Sequence, residues 1–393
     1  MRANARRGAR WLAGVWAVAV VPAAVVMAGP AQAAPAQAPA PFTYSTVAWT
    51  HSAVIVASVN SAGDLYYWWQ PDGSTTWNQE LVATGQYEGS VPSIAWTGST
   101  VIIADSDSGG QVDYYYQFAG TRTWHEQPVA AAPENSYYGP ATISWTGSTV
   151  IIAAVAVSGY GSLAPTALDY WYQYAGTGTW HHQQVATGVV YDRYAGPSIG
   201  WTGSTVIITD TDSSGNLDYW YQYADTGTWH QQQVAPASAA GSGQFPQWSS
   251  PVISWTGSTV IIGAVDRDGD LYYWYQYAGT GTWHDQQVAA AFAVAPYYPP
   301  AIAWTGRLVV LAGVSENGSL NFWWQAAGTR PWHEEHVATL SPGGEYFYPS
   351  MAPAGGSVVI TDSDGSALPG GNLDYWWQQD GTRGWNQQQV AAG

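Results

Sequence analysis

Two kinds of segment alternate along the chain. Short runs rich in Val, Ile, Tyr and Trp are separated by turns rich in Gly, Ser, Thr and Asp. Such runs predict β-strands, and no segment beyond residue 33 shows the 3.6-residue apolar period of a helix. A representative stretch predicts strand A at 198–201, strand B at 205–209, strand C at 217–223 and strand D at 229–235.

This four-strand unit, about fifty residues long, recurs seven times. The first anchor is the Trp of Trp-Thr-Gly, at Trp49 (where His51 replaces the Gly), Trp96, Trp145, Trp201, Trp255 and Trp304, with Pro353 in the last copy. The second anchor is a Gln that closes an aromatic run, at Gln70, Gln117, Gln173, Gln222, Gln276, Gln325 and Gln378. The third anchor is a Trp, and five positions after it comes a Val-Ala pair in every copy. These Trp residues are Trp77, Trp124, Trp180, Trp229, Trp283, Trp332 and Trp385. A fixed period of this length indicates a solenoid, a propeller or an array.

Four strands in each of seven copies predict an all-β fold, a seven-bladed β-propeller of four-stranded antiparallel blades. Strands B and C are apolar on both sides, as expected of strands covered on both faces, whereas strand D is polar and suits an outer position. A linear β-solenoid is the alternative. The sequence leaves the innermost strand open. If strand A is innermost, no strand is exchanged at closure, and residues 36–45 are expected to lie against the last blade.

The N-terminal segment predicts export. Residues 1–33 combine four Arg, an apolar core and Ala31-Gln32-Ala33, the pattern of a secretory signal peptide; a membrane anchor is the alternative. The protein is therefore expected to be secreted. Residues 34–41 form a Pro/Ala linker and residues 42–393 the propeller. The repeats fall at about 42–88, 89–137, 138–193, 194–247, 248–296, 297–345 and 346–393.

The amino-acid composition excludes some classes of binding partner. The chain has no Cys and no Lys, so it lacks the means for a disulfide framework. Four of the ten Arg lie within the first ten positions, so the remainder carries 27 acidic residues against six Arg. This charge argues against nucleic acid and against anionic membrane surfaces. Aromatic residues make up 15% of the chain and charged residues 9%, a balance that suits neutral polyhydroxylated partners.

One loop position carries an aromatic ring in most copies. The residue seven positions before the first anchor is aromatic in six copies, at Phe42, Tyr138, Tyr194, Trp248, Tyr297 and Tyr346. It lies in the D–A loop. Because consecutive strands of a blade run in opposite directions, the D–A and B–C loops are expected on the same face. Rings that contact ligand lose little conformational entropy, so these rings are candidate ligand contacts; the alternative is that they wedge between blades.

The B–C loops of four copies add paired carboxylates to that face. The pairs are Asp105 and Asp107, Asp210 and Asp212, Asp266 and Asp268, and Asp362 and Asp364. They are candidate acceptors for sugar hydroxyls, and their alternative role is to cap the turns. No EF-hand fits, because the position that needs Glu holds Tyr or Leu. No cofactor is expected, and calcium at the Asp-rich turns is the alternative considered.

Catalytic and metal constellations are not evident in the sequence. His125, His181, His230, His284 and His333 follow the third anchor, but Asn78 and Asn386 take that place at the two ends, which favours a structural role. No nucleophile, base and orienting group can be assembled from the irregular residues, which include Asp192, Arg193, Glu334, Glu335 and His336. A non-enzymatic protein is therefore expected.

The repeat length, the Trp/Tyr-rich strands and the Gly turns of residues 42–393 resemble those of the secreted, Trp-rich β-propeller lectins, the tachylectin-like and Photorhabdus-lectin-like groups. The resemblance implies sugar pockets between adjacent blades. Fucose-binding propellers use Arg and Glu with Trp in each site, and because this chain has only six Arg after the signal peptide, that site is not expected to carry over. The sequence therefore predicts a multivalent, lectin-like glycan-binding protein. The alternatives are a glycan-degrading enzyme and a protein-interaction scaffold, and the oligomeric state stays open.

Overall fold

The computed structural model describes residues 40–392, apart from 88–89, 133–135, 159–165, 190–195, 225, 238–247, 291–293, 296–297, 340–344, 366–370, 380–381 and 383. The predicted signal peptide and most of the linker lie outside these residues and stay predictions. Within the described part of the chain, no helix is long and apolar enough to cross a membrane.

The chain forms seven antiparallel sheets, one for each repeat. Blade 1 comprises β1 (Phe42–Trp49), β2 (Ala53–Asn60), β3 (Asp64–Pro71) and β4 (Asn78–Thr84). Blade 2 comprises β5 (Ser93–Trp96), β6 (Thr100–Ser106), β7 (Val112–Phe118) and β8 (His125–Ala130). Blade 3 comprises β9 (Ser136–Tyr138), β10 (Thr142–Trp145), β11 (Thr149–Ser158), β12 (Ala167–Tyr174) and β13 (His181–Thr187). Blades 4 and 5 comprise β14 (Ser198–Trp201), β15 (Thr205–Thr211), β16 (Leu217–Tyr223), β17 (His230–Ala235); and β18 (Trp248–Trp255), β19 (Thr259–Asp266), β20 (Leu271–Tyr277), β21 (His284–Ala289). Blades 6 and 7 comprise β22 (Ala301–Trp304), β23 (Leu308–Val314), β24 (Ser319–Ala326), β25 (His333–Thr339); and β26 (Glu345–Tyr346), β27 (Ser350–Ala354), β28 (Ser357–Gly365), β29 (Asn372–Gln379), β30 (Asn386–Ala391).

Each blade keeps the sequential strand order A-B-C-D, and the short strands β9 and β26 add to strand B of blades 3 and 7. The seven-bladed propeller predicted from the sequence is confirmed. In blade 4, strands A and C have the predicted bounds, strand B runs on to Thr211, and strand D begins at His230.

Strand A is innermost. The A strands of neighbouring blades contact one another around the ring, and β1 contacts β27 to complete it. No strand is exchanged at this closure. Instead Phe42 and Gly371 exchange two backbone hydrogen bonds of 3.1 and 3.0 Å, and the Oγ of Ser350 accepts a bond from the backbone N–H of Val47. Part of the N-terminal segment expected against the last blade therefore lies there.

The core consists of seven apolar layers, each shared by two neighbouring blades. Between blades 5 and 6, Leu271 and Tyr273 pack against Val309, Leu311 and Trp323. Strand B of blade 4 is buried at every position, because a blade inside the ring has a neighbour on both faces. The continuous apolar runs seen in the sequence follow from this arrangement.

The third-anchor Trp is the wedge between blades. Trp229 of blade 4 meets Tyr170 of blade 3 edge to face, with ring centroids 5.2 Å apart. The same contact recurs at every junction, in the pairs Trp77–Tyr375, Trp124–Tyr67, Trp180–Tyr114, Trp283–Tyr219, Trp332–Tyr273 and Trp385–Phe322. Edge-to-face pairs add about 0.5–1.5 kcal/mol to the burial of the rings. The junction between blade 7 and blade 1 therefore has the same Trp contact as the other six junctions.

The Val-Ala pair marks a bulge in strand D. In blade 4, Leu217 pairs with Ala235 and Asp218 with Gln233, so Val234 has no cross-strand partner. The register shifts at the equivalent place in each of the other six blades. A bulge bends its strand and increases the local twist, and here it turns the Val side chain toward the apolar layer.

Candidate functional site

The described D–A loop rings Tyr138, Trp248 and Tyr346 lie in the apolar layers between neighbouring blades. Trp248 is 8% exposed and meets Trp274 edge to face at 4.9 Å. Tyr138 and Tyr346 pack in the same way on the strand C residues Trp171 and Trp376. The reason lies in the backbone: these residues belong to strand extensions that pair with strand B, so their rings cover strand C of the same blade.

Burial also shapes the chemistry of these phenols. The hydroxyl of Tyr138 donates to Oδ2 of Asp169 at 3.3 Å. Burial, and next the charge of Asp169, raise the pKa of Tyr138. Burial, followed by the charges of three nearby Asp side chains, raises the pKa of Tyr346. Both side chains therefore remain neutral hydroxyls at physiological pH.

The first Asp of each predicted pair is buried. Asp362 Oδ1 accepts hydrogen bonds from the backbone N–H groups of Phe347, Tyr348 and Ser363. Asp105 accepts from the Oγ of Ser90 and from the N–H of Ser106. The buried first members are Asp105, Asp210, Asp266 and Asp362.

The second Asp of each pair lies at the end of strand B or on the turn that follows it. Asp107 Oδ1 accepts from the N–H of Gln111 at 2.7 Å. Asp212 and Asp364 accept in the same way from Asn216 and Asn372. Asp268 is exposed and donates its backbone N–H to Asp266. These contacts are turn caps.

Three further carboxyl groups, which the sequence analysis did not single out, lie across the ladder from buried Asp residues. Asp113 faces Asp105, Asp218 faces Asp210 and Asp374 faces Asp362. Burial, joined by the charge of Asp364, raises the pKa of Asp374 to about 6. Burial raises the pKa of Asp362 to about 7, although its three N–H donors act in the opposite direction. The signal available in the sequence was that these Asp residues recur at the same position of strand C, opposite the Asp residues of strand B.

The structure thus brings the predicted rings and carboxylates to one face but directs most of them inward. Tyr194 and Tyr297 lie outside the described residues. Contact of any of these side chains with a ligand stays a prediction. Among the described residues, no three His, Asp or Glu side chains are grouped closely enough to hold a metal ion.

The opposite face, formed by the A–B and C–D turns, has a groove between neighbouring blades. Its floor is the second-anchor Gln, which is buried and donates from Nε2 to a side chain on strand D of the preceding blade. Gln222, for example, donates to Oε1 of Gln183 at 2.7 Å. The other donor–acceptor pairs are Gln70–Gln388, Gln117–Glu80, Gln173–Gln127, Gln276–Gln232, Gln325–Gln286 and Gln378–Glu335.

Stacked rings line one wall of the groove. Tyr275 of strand C stacks on His284 of strand D, with centroids 5.0 Å apart and planes 25° from parallel. The equivalent stacks are Tyr116–His125, Tyr172–His181, Tyr221–His230 and Trp324–His333. The His that follows the third anchor therefore stacks on a ring of strand C in these five blades.

A ring at the end of strand C is exposed in four consecutive blades. Phe118, Tyr174, Tyr223 and Tyr277 are 52, 45, 51 and 51% exposed. Each directly follows the floor Gln. These rings were not predicted from the sequence because they stand at the end of the apolar run. The available signal was a ring placed immediately before a Gly turn, where no neighbour covers it.

The groove between blades 5 and 6 has a volume of about 420 Å³, which is within the usual range of small-molecule sites. Tyr273, Tyr275 and Tyr277 line it from blade 5, and Trp304 and Arg330 from blade 6. The first-anchor Trp is therefore a groove residue. Thr and Ser of the A–B turn add hydroxyls.

One groove contains an ion pair. Between blades 1 and 2, Arg122 Nε lies 3.8 Å from Oε1 of Glu80, which also accepts the hydrogen bond from Gln117 through its other oxygen. The Arg side chain is 83% exposed and the Glu side chain 16%. An Arg and a Glu therefore meet beside aromatic rings at this junction.

The chain shares its fold with propeller lectins. It is similar to the BP39L lectin from Burkholderia pseudomallei, with a TM-score of 0.70, 14% identity, and coverage of 90% of this chain and all of that one. It is also similar to the Aleuria aurantia lectin in complex with Fucα1-6GlcNAc, with a TM-score of 0.51, 11% identity, and coverage of 77% and 97%. At these identities the likeness establishes the fold.

A peptidase has a similar propeller. A puromycin-hydrolysing peptidase from Mycobacterium tuberculosis matches with a TM-score of 0.56 and 13% identity, over 89% of this chain but only 53% of that protein. The fold alone therefore does not separate binding from catalysis. No protein-family model matches the chain, and no curated protein matches its sequence.

Proposed function

We propose that the protein is a secreted, multivalent, non-enzymatic carbohydrate-binding protein whose sugars lie in the grooves between blades, on the face of the A–B and C–D turns. The observation that carries this proposal is the row of half-exposed rings, Phe118, Tyr174, Tyr223 and Tyr277. In the groove between blades 5 and 6, Tyr277 lies with the amides of Gln286 and Gln325 and with turn hydroxyls. A pyranose offers apolar C–H faces to such rings and hydroxyls to amides. The same combination of aromatic surface and a few polar groups is usual in small-molecule sites.

The repeated grooves suggest that the protein binds several sugars at once. Similar grooves around one rigid ring act on a multivalent glycan surface, where linked sites gain roughly 10²–10⁴ in avidity when the geometry permits. Two lectins of similar fold are described in complex with α-methyl fucoside and with Fucα1-6GlcNAc. These two ligands are therefore sensible first probes.

The test is a glycan array with the purified protein, followed by titration calorimetry with α-methyl fucoside and with the best array ligand. A variant carrying Phe118→Ala, Tyr174→Ala, Tyr223→Ala and Tyr277→Ala is expected to lose array binding. Each lost ring contact is expected to lower the sugar affinity of its groove roughly fivefold, because the apolar area that a sugar buries against one ring contributes about 1 kcal/mol. The control Leu81→Ala removes another exposed apolar side chain, on an outer strand, and is expected to bind as the parent does.

A competing variant carries Asp107→Asn, Asp212→Asn and Asp268→Asn on the D–A/B–C face. Loss of binding in this variant, with retention in the four-ring variant, would move the site to the face predicted from the sequence. Loss on chelation of calcium would assign the Asp turns to a metal site. A blank array from folded protein would overturn carbohydrate binding altogether.

A further inference from the structure

The inter-blade grooves differ at one position of the C–D turn. The residue two positions before the third-anchor Trp is a Gly in the grooves closed by blades 3, 4 and 5, at Gly178, Gly227 and Gly281. It is Arg122 in blade 2, Arg330 in blade 6 and Arg383 in blade 7. Grooves of one architecture therefore carry different charges.

The Arg grooves also differ on the facing strand D, where the groove closed by blade 7 has Glu335. Beside Arg122 stands Glu80, whose carboxylate lies 3.8 Å away. At the equivalent position beside Arg330 stands the neutral Gln286. Its Oε1 accepts from Nε2 of Gln325 at 3.0 Å and from Nε1 of Trp332 at 3.2 Å. Arg122 is thus balanced within its groove and Arg330 is not.

The lining of the Arg330 groove contains no Asp or Glu among the described residues. Over the same residues, no carboxylate lies within 4.0 Å of the guanidinium group. The Nε2 donor of Gln286 bonds to no described acceptor, whereas Nε2 of the equivalent Gln127 donates to the carbonyl of Gly178 at 2.6 Å. The groove therefore combines a cation and an amide donor with tyrosine rings.

One acidic side chain lies nearby. Asp285 lines the adjoining groove of about 370 Å³, which Arg330 and His284 share. It pairs across the ladder with Trp274, whereas Gln286 pairs with Tyr273 of the groove wall. Alternate residues of a strand point to opposite faces, so the side chain of Asp285 is directed to the opposite face of the sheet from that of Gln286.

We propose that the groove between blades 5 and 6 selects pyranoses that carry an anionic group, a carboxylate or a sulfate ester, through Arg330 and the side-chain amide of Gln286. This rests on the proposed carbohydrate-binding function and names the ligand class of one groove. A planar guanidinium is suited to paired hydrogen bonds with such anions. The acidic surface of the protein repels anions at long range, so selection depends on contact inside the groove.

The experiment is calorimetric titration of the full chain with three probes: methyl β-D-glucoside, methyl β-D-glucuronide and methyl β-D-glucoside 6-sulfate. The anionic probes are expected to bind roughly tenfold more tightly than the neutral one, at one site per chain, because hydrogen bonds to charged groups exceed neutral ones by about that factor. A preference for the glucuronide identifies a carboxylate ligand, and a preference for the sulfate identifies a sulfated one. Either result supports the proposal.

Three variants sharpen the test. Arg330→Gly copies the residue of three other grooves and is expected to reduce anionic affinity to that for the neutral glucoside. Gln286→Glu copies the balanced groove at Glu80 and is expected to do the same. Arg267→Ala removes an equal charge from an exposed turn of blade 5 on the opposite face and is expected to leave all three affinities unchanged.

Equal affinity for the three probes would overturn the charge selection while leaving carbohydrate binding standing. So would an unchanged anionic preference in Arg330→Gly, or an equal loss in Arg267→Ala, which would reflect overall charge instead of the groove. Failure of every sugar, on the array as well as in titration, would instead remove the proposed function itself.

Discussion

Both faces of the propeller carry aromatic rings, but among the described residues the rings that are about half exposed lie on the face of the A–B and C–D turns. On the D–A/B–C face, Trp248 and Tyr346 belong to strand extensions and cover strand C of their own blade. On the other face, Tyr277 ends strand C and projects into an open groove. The same residue type is thus part of the core on one face and available to a ligand on the other. The difference is that the backbone around the buried rings pairs with strand B, whereas Tyr277 stands at the end of its strand.

The largest effect is expected from truncating a ring on the closed face. Trp248→Ala removes a buried indole that packs on Trp274, and such truncations cost about 3–5 kcal/mol. Tyr277→Ala, its match on the open face, is expected to change the free energy of unfolding by about 0.5 kcal/mol or less, as is usual for exposed sites. Chemical denaturation followed by circular dichroism measures both. Similar costs for the two variants would erase the contrast between the faces.

A smaller effect is expected from the buried carboxyl groups of the closed face. The pKa of Asp362 is about 7 in the folded chain, against 3.8 ordinarily. The folded state therefore holds the proton more tightly than the unfolded state. This contribution to stability is complete below pH 3.8 and is lost as the pH rises through 7. The loss between pH 5 and pH 8 is about 2–3 kcal/mol.

Asp362→Asn is expected to remove that part of the pH dependence. Its amide oxygen can still accept the three N–H bonds, and its NH₂ replaces Oδ2, which has no hydrogen-bond partner among the described residues. The stability of parent and variant is compared by denaturation at several pH values, with the exposed Asp268→Asn as control. An undiminished slope in Asp362→Asn would show that Asp362 is ionised in the fold. Asp105, which also has a pKa of about 7, supplies a slope that persists.

The smallest of these effects is expected at the floor of a groove. Gln222→Leu removes a buried hydrogen bond between blades 3 and 4, and such a loss costs about 1 kcal/mol. The exposed Gln79→Leu on an outer strand is the control and is expected to be neutral. Denaturant midpoints of the two variants give the comparison. A neutral Gln222→Leu would mean that ring packing alone holds the junction.

The blades could be predicted from the sequence because each is completed within one repeat. Trp201, Gln222 and Trp229 recur at fixed spacing, and the strand bounds follow from the runs between them. The partners of these anchors could not be predicted in the same way. Gln222 bonds to Gln183, 39 positions earlier, and Gln70 bonds to Gln388, 318 positions away. Spacing marks such residues but does not say what they touch.

The candidate site was harder to predict for a related reason. The sequence places Trp248 in a loop next to Asp-rich turns, but it does not say that the segment joins the sheet and turns the ring inward. Conversely, Tyr277 stands in an apolar run that suggests burial, and only the end of strand C at that residue leaves it exposed. Burial of a ring at a strand end depends on the neighbouring blade, which local pattern does not describe.

Closure without an exchanged strand has a consequence for how the ring assembles. Every sheet is made from consecutive residues, so the contacts within a blade have low sequence separation and can form early. The junction between blades 1 and 7 is the exception, since Phe42 meets Gly371 only after both ends of the chain are folded. A circularly permuted chain that begins at blade 2 would make this junction local and move the slow, long-range step to the junction between blades 1 and 2, with the same final set of bonds.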